Sequence, residues 1–272
     1  MTVNTQTMNA VLSGSVVFAS ANIKALLTQD PNADNCNFVS ELSSVDYYST
    51  PYNTALSADT GSYNSTKGVY LSASSCLFST INTDYIDKDV YIINYNDTGD
   101  LNTSNIISYQ LENSPVIVGD TSFTITDNKI INLTDGSTGY KALFRSFREY
   151  LLGGIGNITN LNVACALMSS SYTPSITSTT YNSISSHIVT TAPIPGLYID
   201  SGALKTTQTF IPFPISTGYI SSAVLFISSA TIQDSILMGY YSTNNSLSPA
   251  TLTATNTNAY LRFFDKTLFS LI

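Results

Sequence analysis

The sequence predicts a mainly β protein: two tandem β-sandwich domains of one fold, residues 1–135 and 136–272, each opening with a short α-helix. Three observations carry this. Short apolar runs alternate with polar turns along the whole chain, the pattern of many strands joined by tight connections. Ser, Thr, Asn and Gln supply about 38% of the residues, yet Tyr (18) and Phe (12) are plentiful, and disordered polar chains lack such aromatics. The chain also repeats itself. Met8-Asn9-Ala10-Val11-Leu12-Ser13-Gly14 parallels Arg148-Glu149-Tyr150-Leu151-Leu152-Gly153-Gly154, and Asn22-Ile23-Lys24-Ala25-Leu26-Leu27 parallels Asn162-Val163-Ala164-Cys165-Ala166-Leu167, both at an offset of 140.

The first helix is expected around residues 8–14. The second is expected after a cap at Ser137 or Thr138, with Leu143, Phe144, Phe147, Tyr150 and Leu151 as its apolar stripe and Gly153-Gly154 as its stop. Lys141, Arg145 and Arg148 fall on another face of that helix, a basic stripe in an acidic chain and a candidate docking contact. Residues 23–28 and 163–169 read as buried strands. Residues 90–95 and 223–228 read as central strands, with 106–111 and 236–241 following across turns. The first of these turns, Asn96-Asp97-Thr98-Gly99-Asp100, has good hairpin chemistry. Residues 123–126 and 260–264 close the two copies. Later echoes drift in offset: Glu41-Leu42-Ser43-Ser44 with Ser183-Ile184-Ser185-Ser186, Val90-Tyr91-Ile92-Ile93 with Val224-Leu225-Phe226-Ile227, and Ile106-Ile107-Ser108-Tyr109 with 236–240. The boundary is placed in the turn-rich Thr134-Asp135-Gly136-Ser137-Thr138-Gly139.

Only 10% of the residues are charged, and the net charge is −8, which argues against nucleic-acid binding. No apolar run is long enough for a transmembrane helix, and the opening residues do not read as a secretory signal. The charge divides unevenly. Residues 1–135 carry 4 basic and 14 acidic side chains, net −10, and residues 136–272 carry 6 and 4, net +2. Two surfaces that differ this much imply different neighbours. The near-neutral second half is the better docking face, and its Pro-bearing stretch Phe210-Ile211-Pro212-Phe213-Pro214-Ile215, unsuited to a central strand, is a candidate contact.

Catalytic chemistry has little to stand on. Cys36, Cys76 and Cys165 form no CxxC pair and read as buried thiols. The single histidine, His187, sits in a strand-like stretch with no partner nucleophile in a recognisable setting. No nucleophile elbow, zinc helix or phosphate loop is present. The acids Asp84, Asp87, Asp89, Asp97 and Asp100 cluster around a turn but lack the bidentate Glu of a calcium loop, so they read as a solvated hairpin tip. The chain has no Trp, which weighs against an aromatic sugar platform, although Tyr can substitute. No catalytic, metal or cofactor site is expected.

The run Asn162-Val163-Ala164-Cys165-Ala166-Leu167-Met168-Ser169-Ser170-Ser171-Tyr172-Thr173-Pro174 resembles the IKVALLTSSYTP signature of small structural proteins of tailed bacteriophages. Tyr95-Asn96-Asp97-Thr98-Gly99, Ile106-Ile107-Ser108-Tyr109 and Phe123-Thr124-Ile125 are similar to that family's later YNDTG, IAYIDFG and FTI elements. The family's GTGYTAGG segment is absent from both copies, with Pro195-Gly196-Leu197-Tyr198 a candidate for its place. The resemblance implies a non-enzymatic virion protein, a capsid decoration, cement or vertex-associated component. The alternative is a tail, baseplate or fibre component touching the host surface. Its implied partners are other virion proteins (the major capsid protein, or portal and tail proteins) and further copies of itself, with no cofactor, no nucleic acid and no membrane.

Overall fold

The computed structural model describes residues 2–18, 21–51, 54–58, 68–73, 75–81, 89–112, 119–124, 129–134, 141–154, 156–175, 178–214, 220–242, 250–254 and 258–271. The chain is mainly β, with two α-helices and several antiparallel sheets among the described residues. The first half runs β1 (Thr2–Val3), α1 (Thr5–Ser13), β2 (Ile23–Thr28), β3 (Tyr47–Tyr48), β4 (Ala55–Ala58), β5 (Gly68–Ser72), β6 (Ser75–Ile81), β7 (Val90–Asn96), β8 (Ile106–Glu112), β9 (Gly119–Thr124) and β10 (Lys129–Thr134). The second runs β11 (Lys141–Leu143), α2 (Arg145–Gly153), β12 (Val163–Ser169), β13 (Ile188–Pro193), β14 (Leu197–Asp200), β15 (Ala203–Thr206), β16 (Phe210–Pro214), β17 (Ile220–Ile227), β18 (Ile236–Ser242), β19 (Ala250–Ala254), β20 (Asn258–Phe263) and β21 (Thr267–Ser270).

The strand orders of the halves correspond. The first half holds sheets β1-β8-β7-β2-β3, β10-β5-β4 and β6-β9; the second holds β11-β18-β17-β12-β13, β14-β15-β21 and β16-β20-β19. β19 has no counterpart among the described residues. The registers correspond as well. Ile23 faces Asn96 and Leu26 faces Ile93, as Val163 faces Ile227 and Ala166 faces Val224. Even the irregularity in the next ladder recurs, between Asn94 and Tyr95 and again between Leu225 and Phe226. These registers place Ile93, not Val90, opposite the position that Val224 holds, so the sequence echo there is out by three residues.

Both faces of β2 and β12 are covered, which is why they read as nearly unbroken apolar runs. One face of each joins the large core, through Ile23, Ala25 and Leu27 and through Val163, Cys165 and Leu167. The other face packs under the segment that follows the strand. Leu26, Ile93 and Ile106 meet Ala33, Cys36 and Val39, while Ala166, Val224 and Phe226 meet Tyr172 and Ile184.

The large core is continuous between the halves, and the helices cross over to reach it. α1 packs on β14 and β15 of the second half, and α2 on β4 and β5 of the first. Asn4 caps α1 by accepting from Gln6 N–H at 2.7 Å, and Gly14 ends it at φ 68°. Beyond the caps the segments from the two halves touch: a Cβ on Gly14 would overlap the Gly156 backbone, and one on Gly154 would strike Val17. Side chains are excluded there so that the helix ends can meet.

Two expectations change and one holds. α2 starts at Arg145, capped by Phe144, because Lys141–Leu143 is drawn into a strand on the edge of β18. Lys141 therefore does not share a helix face with Arg145. His187 ends a 3-10 turn, Ser185–His187, and the strand begins after it. The stretch from Phe210 forms an edge strand rather than a central one, as its prolines lead one to expect, with Pro212 and Pro214 facing outward where they cost no ladder partner.

Candidate functional site

A groove of about 850 Å³ lies on the first half, walled by α1, the segment at Asn37 and the β7–β8 connection, with Ile199 of β14 contributed by the second half. Six primary amides line it: Gln6, Asn9, Asn37, Asn96, Asn102 and Asn105. Ser13, Ser15, Thr98 and Thr103 add hydroxyls, and Ala10 and Phe38 add apolar surface. Among the described residues that line it, none carries a charge.

Local structure fixes the parts. Gln6, Asn9, Ala10 and Ser13 share one side of α1, spaced at three and four residues. Asn9 donates to Gln6 Oε1 at 3.3 Å and accepts Gly202 N–H at 2.8 Å, which ties the helix to the second half. An isolated bridge joins Phe38 to Asn105 and holds the two loop walls together. In the β7–β8 connection Asp97 Oδ1 accepts Gly99 N–H and Asp100 Oδ1 accepts Asn102 N–H, so these carboxylates build the turn. Lys24 Nζ lies 2.7 Å from Asp97 Oδ2, and that hydrogen bond holds the Asp97 carboxyl below its ordinary value. Asp84 and Asp87 lie outside the described residues. Among the described residues no group of three His, Cys, Asp or Glu side chains is placed to hold a metal, and no helix is long and apolar enough to cross a membrane.

The residues singled out as docking contacts are not brought together as one face. Arg145 pairs with Glu149 on the helix surface at 2.7 Å. Arg148 is only 2% exposed and donates from Nη1 to the Leu133 carbonyl at 3.1 Å, so it joins the halves from inside rather than presenting a charge. Ile211 and Phe213 point into the core, as the alternation of β16 dictates; Phe210 is exposed, with the Arg262 guanidinium 5.8 Å above its ring. Ile215 lies outside the described residues.

The thiols are sequestered. All three thiols are buried, and burial pushes the Cys36 and Cys165 thiols up from their ordinary values. His187 Nδ1 lies 3.2 Å from Ser171 Oγ, with its ring tilted against Tyr172. Burial pushes the Tyr172 hydroxyl up to about 12.

Sequence reasoning did not find the groove, because its amides come from separate segments, each reading only as polar helix surface or turn. Comparison with protein-family models, curated proteins and solved structures found no match.

Proposed function

We propose that this chain is a non-enzymatic structural component of a tailed-phage virion, a capsid decoration, cement or vertex-associated protein. In this reading it is two copies of one β-sandwich, fused in tandem and closed on a common core. The supporting observation is where the signature-like residues fall. Val163 to Ser169 form an interior strand of one five-stranded sheet, their first-half counterparts form the same strand of the other, and the ladders beside both share one register. The sequence similarity thus tracks the framework of the fold rather than a scatter of loops. Fusion gives each helix a second copy to pack on, a contact that a single-copy protein must obtain by oligomerising.

A chain with 10% charged residues has few ion pairs to offer a partner. Attachment in this reading rests on apolar, hydroxyl and amide contacts, multiplied over many copies on the particle. A tail, baseplate or fibre position, touching the host surface, is the second reading, favoured by the uncharged groove on the first half. Quantitative mass spectrometry of purified particles of the encoding phage tests both. Hundreds of copies per particle support decoration, and a small number matching tail symmetry supports the second reading. Absence from the particle overturns both.

A further inference from the structure

We infer that the amide-lined groove between α1 and the β7–β8 connection is a binding site for an uncharged carbohydrate. This stands independently of the virion reading. The argument starts from the chemistry of the lining. A primary amide carries donors and acceptors together, as a sugar hydroxyl does, so six amides around one groove match a polyhydroxylated ligand group for group. Anions are recognised by Arg and Lys, and hard cations by carboxylates; neither side-chain type is among the described lining residues. Phe38, Ala10 and Ile199 supply the apolar patches that the C–H face of a pyranose requires.

Two of the amides are poised for a ligand. Asn37 and Asn96 are half-buried in the groove, and their side chains make no hydrogen bond to the described residues. Half-exposed amides of this kind can exchange a bond to water for one to a ligand hydroxyl without breaking a bond to the described residues.

The second half serves as an internal control on whether the fold itself demands this lining. The matched registers put Ile227 where Asn96 stands, against Val163 as Asn96 is against Ile23. The matched bridges put Ile236 in the place of Asn105 and Thr180 in that of Phe38. On the helices, the offset of 140 puts Ser146, Glu149 and Tyr150 at the positions of Gln6, Asn9 and Ala10. The same framework is therefore built without four of the six amides, with a salt bridge and a bulky ring on the helix instead. The repeated strand framework does not require amides at these four positions, and with Asn37 and Asn102 they converge on one groove.

The test is ligand-observed NMR and calorimetric titration of the intact chain. The probes are neutral oligosaccharides of glucose, galactose, mannose and N-acetylglucosamine, with sulfated and sialylated oligosaccharides as anionic controls. We expect at least one neutral probe to bind with a dissociation constant of about 1 mM or tighter, unchanged between low and high salt. Asn37→Ala and Asn96→Ala should each weaken it about three- to tenfold. Ala10→Tyr, which imports the residue of the second half, should abolish it while the melting temperature stays at the wild-type value. Ser13→Ala keeps the inference testable should Ala10→Tyr unfold the chain, and should weaken binding about threefold. No neutral probe binding at about 1 mM, binding untouched by the Asn37 and Asn96 substitutions, or salt-sensitive binding of the anionic probes alone overturns the inference.

Discussion

Truncating one helix residue should loosen both halves of the chain at once. Leu12 on α1 is fully buried in the core that both halves build, and its helix packs on β14 and β15 of the other half. Leu12→Ala removes three carbons from a site closed on all sides, so the lost transfer free energy adds to the cost of the cavity, about 3 kcal/mol together. With an unfolding entropy of about 2.1 cal/mol/K per residue over 272 residues, that corresponds to a fall in melting temperature of about 5 °C. Circular dichroism measures the melt, and hydrogen exchange read peptide by peptide locates the effect. Peptides from β2 and β7 and peptides from β14 and β15 should lose protection equally, in one cooperative transition. Loss confined to residues 1–135, two separate transitions, or a cost below about 1 kcal/mol would refute the reasoning that the core is one energetic unit.

Two further perturbations follow from particular geometries. Gly14→Ala sets a side chain at φ 68° against the Gly156 backbone and should cost more than about 2 kcal/mol, whereas Gly99→Ala, at φ 84° with open space around it, should cost about 1 kcal/mol; urea unfolding of the pair separates overlap from backbone strain. Asp30 is buried and accepts Ser43 N–H at 2.6 Å and Asn32 N–H at 2.9 Å, which holds its carboxyl below the ordinary value. Because the folded value is the lower one, its stabilisation is present above about pH 4 and is lost as pH falls through the folded value. Asp30→Asn should therefore cost about 1–2 kcal/mol at neutral pH, and the gap to wild type in denaturant titrations should close as pH drops below about 4; a gap constant with pH would sink this account.

How much could be read from the residues depended on how local the cause was. β2 and β12 were legible to the residue because burial on both faces leaves an unbroken apolar run, and the β7–β8 turn was legible because Asp97, Gly99 and Asp100 satisfy its backbone locally. β11 was not. Its three residues adjoin an amphipathic helix, and Leu143 and Phe144 continue that helix's apolar spacing by chance; only pairing with β18, about a hundred residues away, makes them strand. Arg148 reads as a surface cation because its partner, the Leu133 carbonyl, lies in the other half. The prolines of β16 argued against a central strand, and the strand they form is indeed at an edge. The groove was illegible for the same reason as the crossed helices: tertiary packing, not spacing along the chain, brings its residues together.

That crossing decides what can be asked of fragments. The charge division suggests cutting the chain near residue 135 and testing the near-neutral half alone. Yet α2 would then lose β4 and β5, leaving Phe147, Leu151 and Leu152 without much of their cover and Arg148 without the carbonyl it bonds. A buried charge that loses a hydrogen bond is costly, and exposed Leu and Phe drive association. We expect residues 1–135 and 136–272, expressed apart, each to be aggregated or self-associated. Refolded together at equal concentration, they should form a one-to-one complex with the far-ultraviolet spectrum of the intact chain. Arg148→Ala in the second fragment should weaken that complex at least tenfold, since it removes a buried, charge-assisted bond between the halves. Either fragment folding alone as a stable monomer would show that the shared core is incidental, and would return the docking question to separate domains. If the fragments reassociate as expected, attachment to a particle has to be tested on the intact chain, by release at rising salt. Ion pairs on this surface contribute about 0–1 kcal/mol each, so raising the salt should leave the protein bound.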